Sequence, residues 1–189
     1  MRQSHRLNNI GLINRDKVIT FNFNGKSYQG YEGDTLASAL LANGVHLVGR
    51  SFKYHRPRGF IGAGVDEPNA KLQVTINGHS EPNINATEIE LVDGLSATSQ
   101  NCWPSVEFDI GAINNFLKRF FPAGFYYKTF MWPKSFWYKI YEPFIRKAAG
   151  LGVASLEKDK ERYEHKFEYC DLLVTCLLYT SPSPRDRYI

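Results

Sequence analysis

The sequence has few cysteines and no long apolar run. It contains three cysteines in 189 residues, and the two that precede residue 176, Cys102 and Cys170, lie far apart in the chain. This pattern offers neither a disulfide framework nor a group of metal-binding thiols, and it is typical of a reducing cytosol. No stretch approaches the roughly 18 apolar residues that a membrane helix needs, so we expect no membrane span. Residues 1–9 are polar and lack the apolar core of a secretory signal, so we expect a cytoplasmic protein.

Neither positive nor negative charge strongly dominates the sequence. The chain has 23 Lys and Arg residues against 19 Asp and Glu residues, which gives a net charge of +4. That balance does not indicate a partner made of nucleic acid, which favours a concentrated positive surface. With 43% apolar residues, the composition is that of a globular protein. The length allows about one domain with extensions.

Residues 176–189, CLLYTSPSPRDRYI, differ from the rest of the chain. They resemble the translation of a transposase adapter used in sequencing libraries, so we predict that they are an artefact and no part of the natural fold. The alternative is a Ser/Pro-rich disordered tail. Just before them, residues 169–175 read as a buried strand after a charged run, which is how a dinucleotide-binding domain begins. We therefore expect residues 169–175 to be the first strand of a Rossmann domain that is truncated in this sequence, and we expect the natural chain to continue beyond Val174.

Residues 16–98, after a flexible N-terminus at 1–15, have the pattern of a mixed domain. Apolar residues alternate in Val18–Phe23, as in a half-buried strand. The Asn-Gly pair that follows favours a tight hairpin, with a return strand at 27–31. Later strands are predicted at Lys71–Ile76 and Glu88–Val92.

A helix is predicted between the hairpin and the later strands. Asp34 or Thr35 can cap its first turn, and Asn43-Gly44 can end it. Its apolar stripe is formed by Leu36, Leu40 and Leu41. Two strands, a helix, a long loop and further strands predict an α+β protein with a β-grasp domain, the fold of plant-type ferredoxins.

A glycine-rich loop within this domain has the spacing of a metal loop but no thiols. Plant-type [2Fe–2S] ferredoxins bind their cluster with C-x4-C-x2-C and a distant fourth cysteine. In this chain the corresponding slots hold Ile61, Asp66 and Asn69, and the fourth falls near Thr87. Isoleucine cannot bind iron, and oxygen-bearing side chains do not replace thiolates. The sequence therefore predicts a ferredoxin-like domain without cluster ligands and without a metal.

A dense group of positive charges precedes this loop. Guanidinium groups match phosphate oxygens, so this loop is a candidate to contact a flavin or nicotinamide phosphate. The alternative is ion pairing with Asp66, Glu67 or neighbouring subunits. The candidate residues are Arg50, Lys53, Arg56 and Arg58.

Residues 99–168 read as a helical connecting segment rich in aromatic side chains. Apolar residues recur at helical spacing between Ile110 and Phe120 and again between Phe136 and Tyr141. Pro143 suits the first turn of a further helix. This much aromatic surface needs a partner, either the rest of the same chain or a subunit interface.

Several stretches resemble the N-terminus of the alpha subunits of heterotetrameric sarcosine oxidases. Related amine dehydrogenases keep the cluster cysteines that this chain lacks. The resemblance covers residues 15–174, and its motifs are GYEGDTLASALLANG at 30–44, GRSFKYHRPRG at 49–59, EPNA at 67–70, FPAGFYYKTFMWP at 121–133 and YEP at 141–143.

The resemblance implies a function for the whole assembly. A beta subunit oxidises sarcosine at FAD, FMN lies at the alpha–beta interface, NAD binds the Rossmann part of alpha, and a folate-binding part transfers the one-carbon unit to tetrahydrofolate. Oxygen is reduced to hydrogen peroxide, and gamma and delta subunits complete the heterotetramer. This chain would then be a scaffold, inactive alone, with no catalytic residue and no cofactor of its own. The alternatives are a [2Fe–2S] electron-transfer domain of a related amine or proline dehydrogenase and a stand-alone β-grasp interaction module.

Overall fold

The computed structural model describes residues 3–7, 10–120, 132–152, 154–156 and 165–171. The chain divides into two units, residues 1–157 and 158–189. Of the second unit only 165–171 are described, and they are exposed and outside any strand. The predicted strand at 169–175 is therefore described only at its first three residues, and the remainder lies outside the described part, as does the tail at 176–189.

The first unit is built on a five-stranded mixed sheet with the order β2-β1-β7-β5-β6. Strands β1 and β7 are parallel, and the other neighbours are antiparallel. This arrangement, with one helix against the sheet, confirms the predicted α+β β-grasp class. A separate antiparallel pair is formed by β3 and β4. The strands are β1 Asn14–Phe23, β2 Lys26–Glu32, β3 Gly49–Arg50, β4 Pro57–Arg58, β5 Lys71–Ile76, β6 His79–Asn85 and β7 Ser96–Ser99.

The first hairpin forms as its sequence predicts. Ile19, Phe21 and Phe23 are buried on one face of β1, while the residues between them are exposed. Asn24 and Gly25 both have positive φ, 48° and 77°, which is the left-handed turn that Asn-Gly pairs favour. Burying such large side chains contributes roughly 1.5–3 kcal/mol each.

Helix α1, Leu36–Ala42, packs against the sheet. The Thr35 side chain caps it by accepting a hydrogen bond from the Ser38 amide at 3.2 Å. Leu36 and Leu40 are buried, but Leu41 is exposed, so the prediction that Leu41 belongs to the buried apolar stripe is wrong. Consecutive helical residues point about 100° apart, because there are 3.6 residues per turn, so Leu40 and Leu41 cannot both face the core.

The predicted strand at Glu88–Val92 is also wrong. This segment makes a single isolated bridge, between Thr35 and Glu90, and its amides and carbonyls bond to the residues that start α1. Leu91 is nevertheless buried, so the apolar pattern reflects a loop that fills the core. The strand that completes the sheet is β7, and the sequence analysis also missed β6, a polar edge strand.

The connecting segment contains short helical turns in place of one long helix at 110–120. None of the described residues in its 3₁₀ helices is buried, and short helices without a packed face are marginal in water. Helix α2, Glu142–Ala148, carries Pro143 in its first turn, as predicted. In the described part of the chain no helix is long and apolar enough to cross a membrane. The turns are the 3₁₀ helices Ile110–Asn115, Lys118–Phe120 and Lys134–Phe136, the π-helical turn Trp137–Tyr141 and α2, Glu142–Ala148.

Candidate functional site

The glycine-rich loop between β4 and β5 wraps around the carboxylate of Glu67. This side chain is buried, with 1% of the residue exposed. Its Oε2 accepts hydrogen bonds from the backbone amides of Ile61 and Gly62, at 2.7 and 2.5 Å, and its Oε1 accepts one from the amide of Asn69 at 2.8 Å. Two of these three amides belong to positions where a cluster-binding loop carries cysteine. The interior of the loop is therefore occupied by an acidic side chain of the chain itself.

The surroundings of Glu67 keep its carboxyl group ionised. Burial alone would raise its pKa, but the amides of Asn69, Gly62 and Ile61 together outweigh burial and hold the pKa below the ordinary value of 4.5. Hydrogen bonds to the charged form of a carboxyl group act in this direction. The described contacts of the Glu67 carboxylate are thus backbone amides, and they take the place of the ion pair with the basic loop that the sequence left open as an alternative.

The four slots of the cluster-binding pattern hold no thiol. Ile61 and Asp66 are exposed, Asn69 is half-buried, and Thr87 is buried and donates its hydroxyl to the carbonyl of Gly64 at 2.9 Å. No group of three or more His, Cys, Asp or Glu side chains in the described ranges can hold a metal ion. Because a [2Fe–2S] cluster needs thiolate or imidazole ligands, these residues do not fit one.

Arg50 serves as a cross-link between the basic loop and the connecting segment. Its Nε and Nη2 donate to the carbonyl of Val106 at 2.8 and 2.6 Å, and Nη2 also donates to the carbonyl of Glu107 at 3.0 Å. Its Nη1 donates to the carbonyl of His55 at 3.2 Å. Most N–H groups of the Arg50 guanidinium therefore donate to backbone carbonyls within the fold. Since carbonyls are neutral acceptors, the positive charge of Arg50 is not cancelled by them.

The other three basic candidates divide into two groups. Lys53 and Arg56 lie over the ring of Tyr54, with their charged atoms 5.1 and 4.8 Å from its centroid. Arg56 also donates to the side chain of Asn115 at 2.9 Å. Arg58 is exposed and lines a pocket that Arg50 also lines. The structure thus brings two of the four predicted phosphate contacts together.

That pocket has a volume of about 330 Å³ and lies beside the Glu67 loop. A third cation, Lys71 at the start of β5, lines it, together with the amide side chains of Asn69 and Gln100. Asn69 Nδ2 and Gln100 Nε2 are buried and have no hydrogen-bond partner in the described part. The sequence analysis missed Lys71 and Gln100, because only the sheet order brings them next to the basic loop.

A second buried acid, Asp109, fixes the far side of the basic loop. Its Oδ2 lies 2.6 Å from His55 Nδ1, and its Oδ1 accepts the amides of Trp103 and Gly111. A Cβ on Gly111 would come within 2.3 Å of the His55 ring, so the contact requires glycine there. The sequence carries no periodic signal for this pair, since the two residues lie 54 positions apart.

The chain is similar to a known domain family and to known oxidoreductase subunits. Residues 16–102 match the model of a 2Fe-2S iron-sulfur cluster binding domain. The sarcosine oxidase subunit alpha of Rhizobium meliloti (strain 1021) is 60% identical over 171 residues, which cover 90% of this chain and 17% of that relative. The sarcosine oxidase subunit alpha of Corynebacterium sp. (strain U-96) is 43% identical over 91 residues, which cover 46% of this chain and 9% of that relative.

Among solved structures, L-proline dehydrogenase from P. horikoshii is 31% identical, with a TM-score of 0.37, over 49% of this chain and 17% of that one. The chain thus spans less than a fifth of the length of these relatives. The predicted resemblance is confirmed: the chain is similar over most of its length to the alpha subunit from Rhizobium and over about half of its length to the one from Corynebacterium, and residues 16–102 match the model of a 2Fe-2S iron-sulfur cluster binding domain.

Proposed function

We propose that this chain is the scaffold region of a sarcosine oxidase alpha subunit, in which a ferredoxin-type domain works without an iron–sulfur cluster. The whole complex would demethylate sarcosine to glycine, pass the one-carbon unit to tetrahydrofolate and form hydrogen peroxide. FAD, FMN, NAD and the folate would bind elsewhere in the alpha, beta, gamma and delta subunits. The identity of 60% to an alpha subunit supports the oxidoreductase assignment.

The observation that carries the proposal is the buried carboxylate of Glu67. A loop that folds around a cluster leaves inward-facing backbone amides, and buried amides need an acceptor. In this chain Glu67 is that acceptor for Ile61, Gly62 and Asn69. The loop can therefore keep its shape with a side-chain anion as its centre, and a metal is not needed to organise it.

The scaffold role is supported by the apolar surface of the connecting segment. A soluble domain seldom exposes many large apolar side chains together, and such side chains mark contact surfaces. Because the Rhizobium relative is much longer than this chain, further parts of the subunit or its partners are available to cover them. The exposed side chains include Trp103, Phe108, Phe116, Phe120, Trp132, Tyr138 and Phe144.

Iron analysis of the full alpha subunit tests the cluster-free part of the proposal. The subunit, coexpressed with its partners and treated with iron and sulfide under anaerobic conditions, should gain no stoichiometric iron or acid-labile sulfide. A matched variant with cysteine at positions 61, 66, 69 and 87 and alanine at 67 serves as the positive control. Uptake of about two iron atoms per unaltered chain, with a ferredoxin-type visible spectrum, would favour the electron-transfer alternative.

Co-purification tests the scaffold part. An alpha subunit lacking residues 16–102 should fail to co-purify with a tagged beta subunit or should yield a complex with less bound flavin. Sarcosine-dependent oxygen consumption at the rate of the intact complex, from a fully assembled complex without this domain, would refute the scaffold role.

A further inference from the structure

We propose that the pocket beside the Glu67 loop is a phosphate-binding site. It lies where the β3–β4 hairpin, the Glu67 loop and the start of β5 meet, and it has a volume of about 330 Å³. That volume is at the small end of the range for ligand sites, roughly 300–1,000 Å³, and suits a phosphate group with a small organic part. The proposal does not rest on the proposed function.

The charges that line the pocket all have the same sign. Arg50, Arg58 and Lys71 line it, and among the described residues of its lining there is no Asp or Glu. The buried acid of the neighbouring loop, Glu67, does not line the pocket, and its oxygens already accept three backbone amides. Three cations with no acid among the described residues that line the pocket repel one another, so a bound dianion would lower the electrostatic energy of this surface.

The three cations differ in whether their side chains are free to contact a bound phosphate directly. Arg50 holds carbonyl oxygens with its guanidinium and contributes its charge, whereas Arg58 and Lys71 are exposed at the pocket wall. The planar fork of Arg58 matches two oxygens of a phosphate, and the ammonium of Lys71 adds a point charge. These two side chains are therefore the expected direct contacts.

Two unpaired amide donors point to the same ligand class. Gln100 Oε1 accepts the backbone amide of Asn83 at 3.0 Å, which fixes the orientation of its side-chain amide and leaves Nε2 as the group without a partner. Asn69 Nδ2 is likewise buried, and no described residue forms a hydrogen bond with it. Buried donors without an acceptor cost free energy, so native proteins seldom leave them unmatched. A ligand rich in acceptor oxygens can neutralise the three cations and also accept hydrogen bonds from the two amides. Phosphate suits this role because it carries more acceptor oxygens and more negative charge than a single carboxylate.

Titration calorimetry on the full chain in phosphate-free buffer tests the proposal. The probes are inorganic phosphate and AMP, with succinate as the carboxylate comparison. We expect saturable binding of both phosphate probes and weaker binding of succinate. Arg58→Gln and Lys71→Gln should each weaken phosphate binding by about tenfold or more, since each removes a charge-assisted contact. Asn69→Asp, which keeps the side-chain shape but adds a negative charge, should abolish binding.

Arg56→Gln is the matched control. Arg56 belongs to the same basic loop but does not line the pocket, so its loss should change the phosphate Kd by less than about twofold, as expected for a remote screened charge. Circular dichroism spectra and melting curves of all variants establish that each is folded. The proposal is overturned if phosphate does not bind saturably, if succinate binds more tightly, or if Arg56→Gln weakens binding as much as Arg58→Gln does.

Discussion

Replacing Glu67 by glutamine removes a negative charge from the centre of the loop and leaves the side-chain shape unchanged. The amide oxygen can still accept from Ile61 and Gly62, but the amide nitrogen then faces the N–H of Asn69, so two donors meet. Leaving that buried donor unsatisfied costs about 1–3 kcal/mol, and the two remaining bonds lose about 1 kcal/mol each because their acceptor is no longer charged. Glu67→Gln should therefore lower the free energy of unfolding by roughly 3–5 kcal/mol.

Urea unfolding at pH 7, followed by circular dichroism, measures this difference. Asp66→Asn is the matched control, because Asp66 is the neighbouring acid of the same loop and is exposed. A surface change of this kind should alter the free energy of unfolding by no more than about 0.5 kcal/mol. If Glu67→Gln and Asp66→Asn have equal effects, the carboxylate of Glu67 does not organise the loop.

The pH dependence of the same difference gives an independent check. The pKa of Glu67 in the folded chain lies below its ordinary value of 4.5. Its charge therefore stabilises the fold fully above the ordinary value, and this stabilisation is lost as pH falls through the folded pKa. The gap between the unaltered chain and Glu67→Gln should be largest at neutral pH and should narrow below pH 4.5. A gap of constant size would mean that shape or packing, rather than charge, causes the effect.

Three further changes test other contacts. Thr35→Ala removes the cap of α1 and should lower the free energy of unfolding by about 1 kcal/mol in a melting experiment. Thr35→Ser keeps a hydroxyl group that can cap the helix, so it should retain most of this stabilisation. Gly111→Ala forces its Cβ against the ring of His55 and should cost about 1–3 kcal/mol, with faster proteolysis of the connecting segment; unchanged cleavage would contradict the His55–Asp109 contact. Arg50→Lys keeps the charge but loses the fork that holds three carbonyls, so it should lower the free energy of unfolding in urea by about 1–2 kcal/mol while phosphate binding persists.

The parts of the fold that could be predicted from the sequence are those set by neighbouring residues. The hairpin of β1 and β2 depends on alternation and on one Asn-Gly pair, both of which are local. The strand predicted at Glu88–Val92 failed because Leu91 is buried from a loop, and an apolar pattern does not distinguish a core-filling loop from a paired strand. The edge strand β6 was missed because its polar sequence has no buried face to give it a period.

The candidate site also has features that the sequence predicts and features that only the fold determines. The absence of thiols at the four slots can be read directly from the residues, because ligand chemistry depends on residue type. The burial of Glu67 cannot be predicted from the residues, because a buried glutamate and an exposed one look alike in a sequence. Only the path of the loop decides which of the two it is. The proposed phosphate pocket depends on Lys71 at the start of β5 and on Gln100 just after β7, which the sheet order brings beside the basic loop.

The buried carboxylate of Glu67 also has a consequence for biogenesis. A cluster must be assembled elsewhere and delivered, and it can afterwards be lost to oxidants or chelators. A carboxylate is made with the polypeptide, so the acceptor that the loop needs is present as soon as the segment leaves the ribosome. If the domain works without a cluster, as proposed, its maturation depends on folding of the chain alone, and neither iron starvation nor loss of a cluster to oxidants affects the centre of the loop.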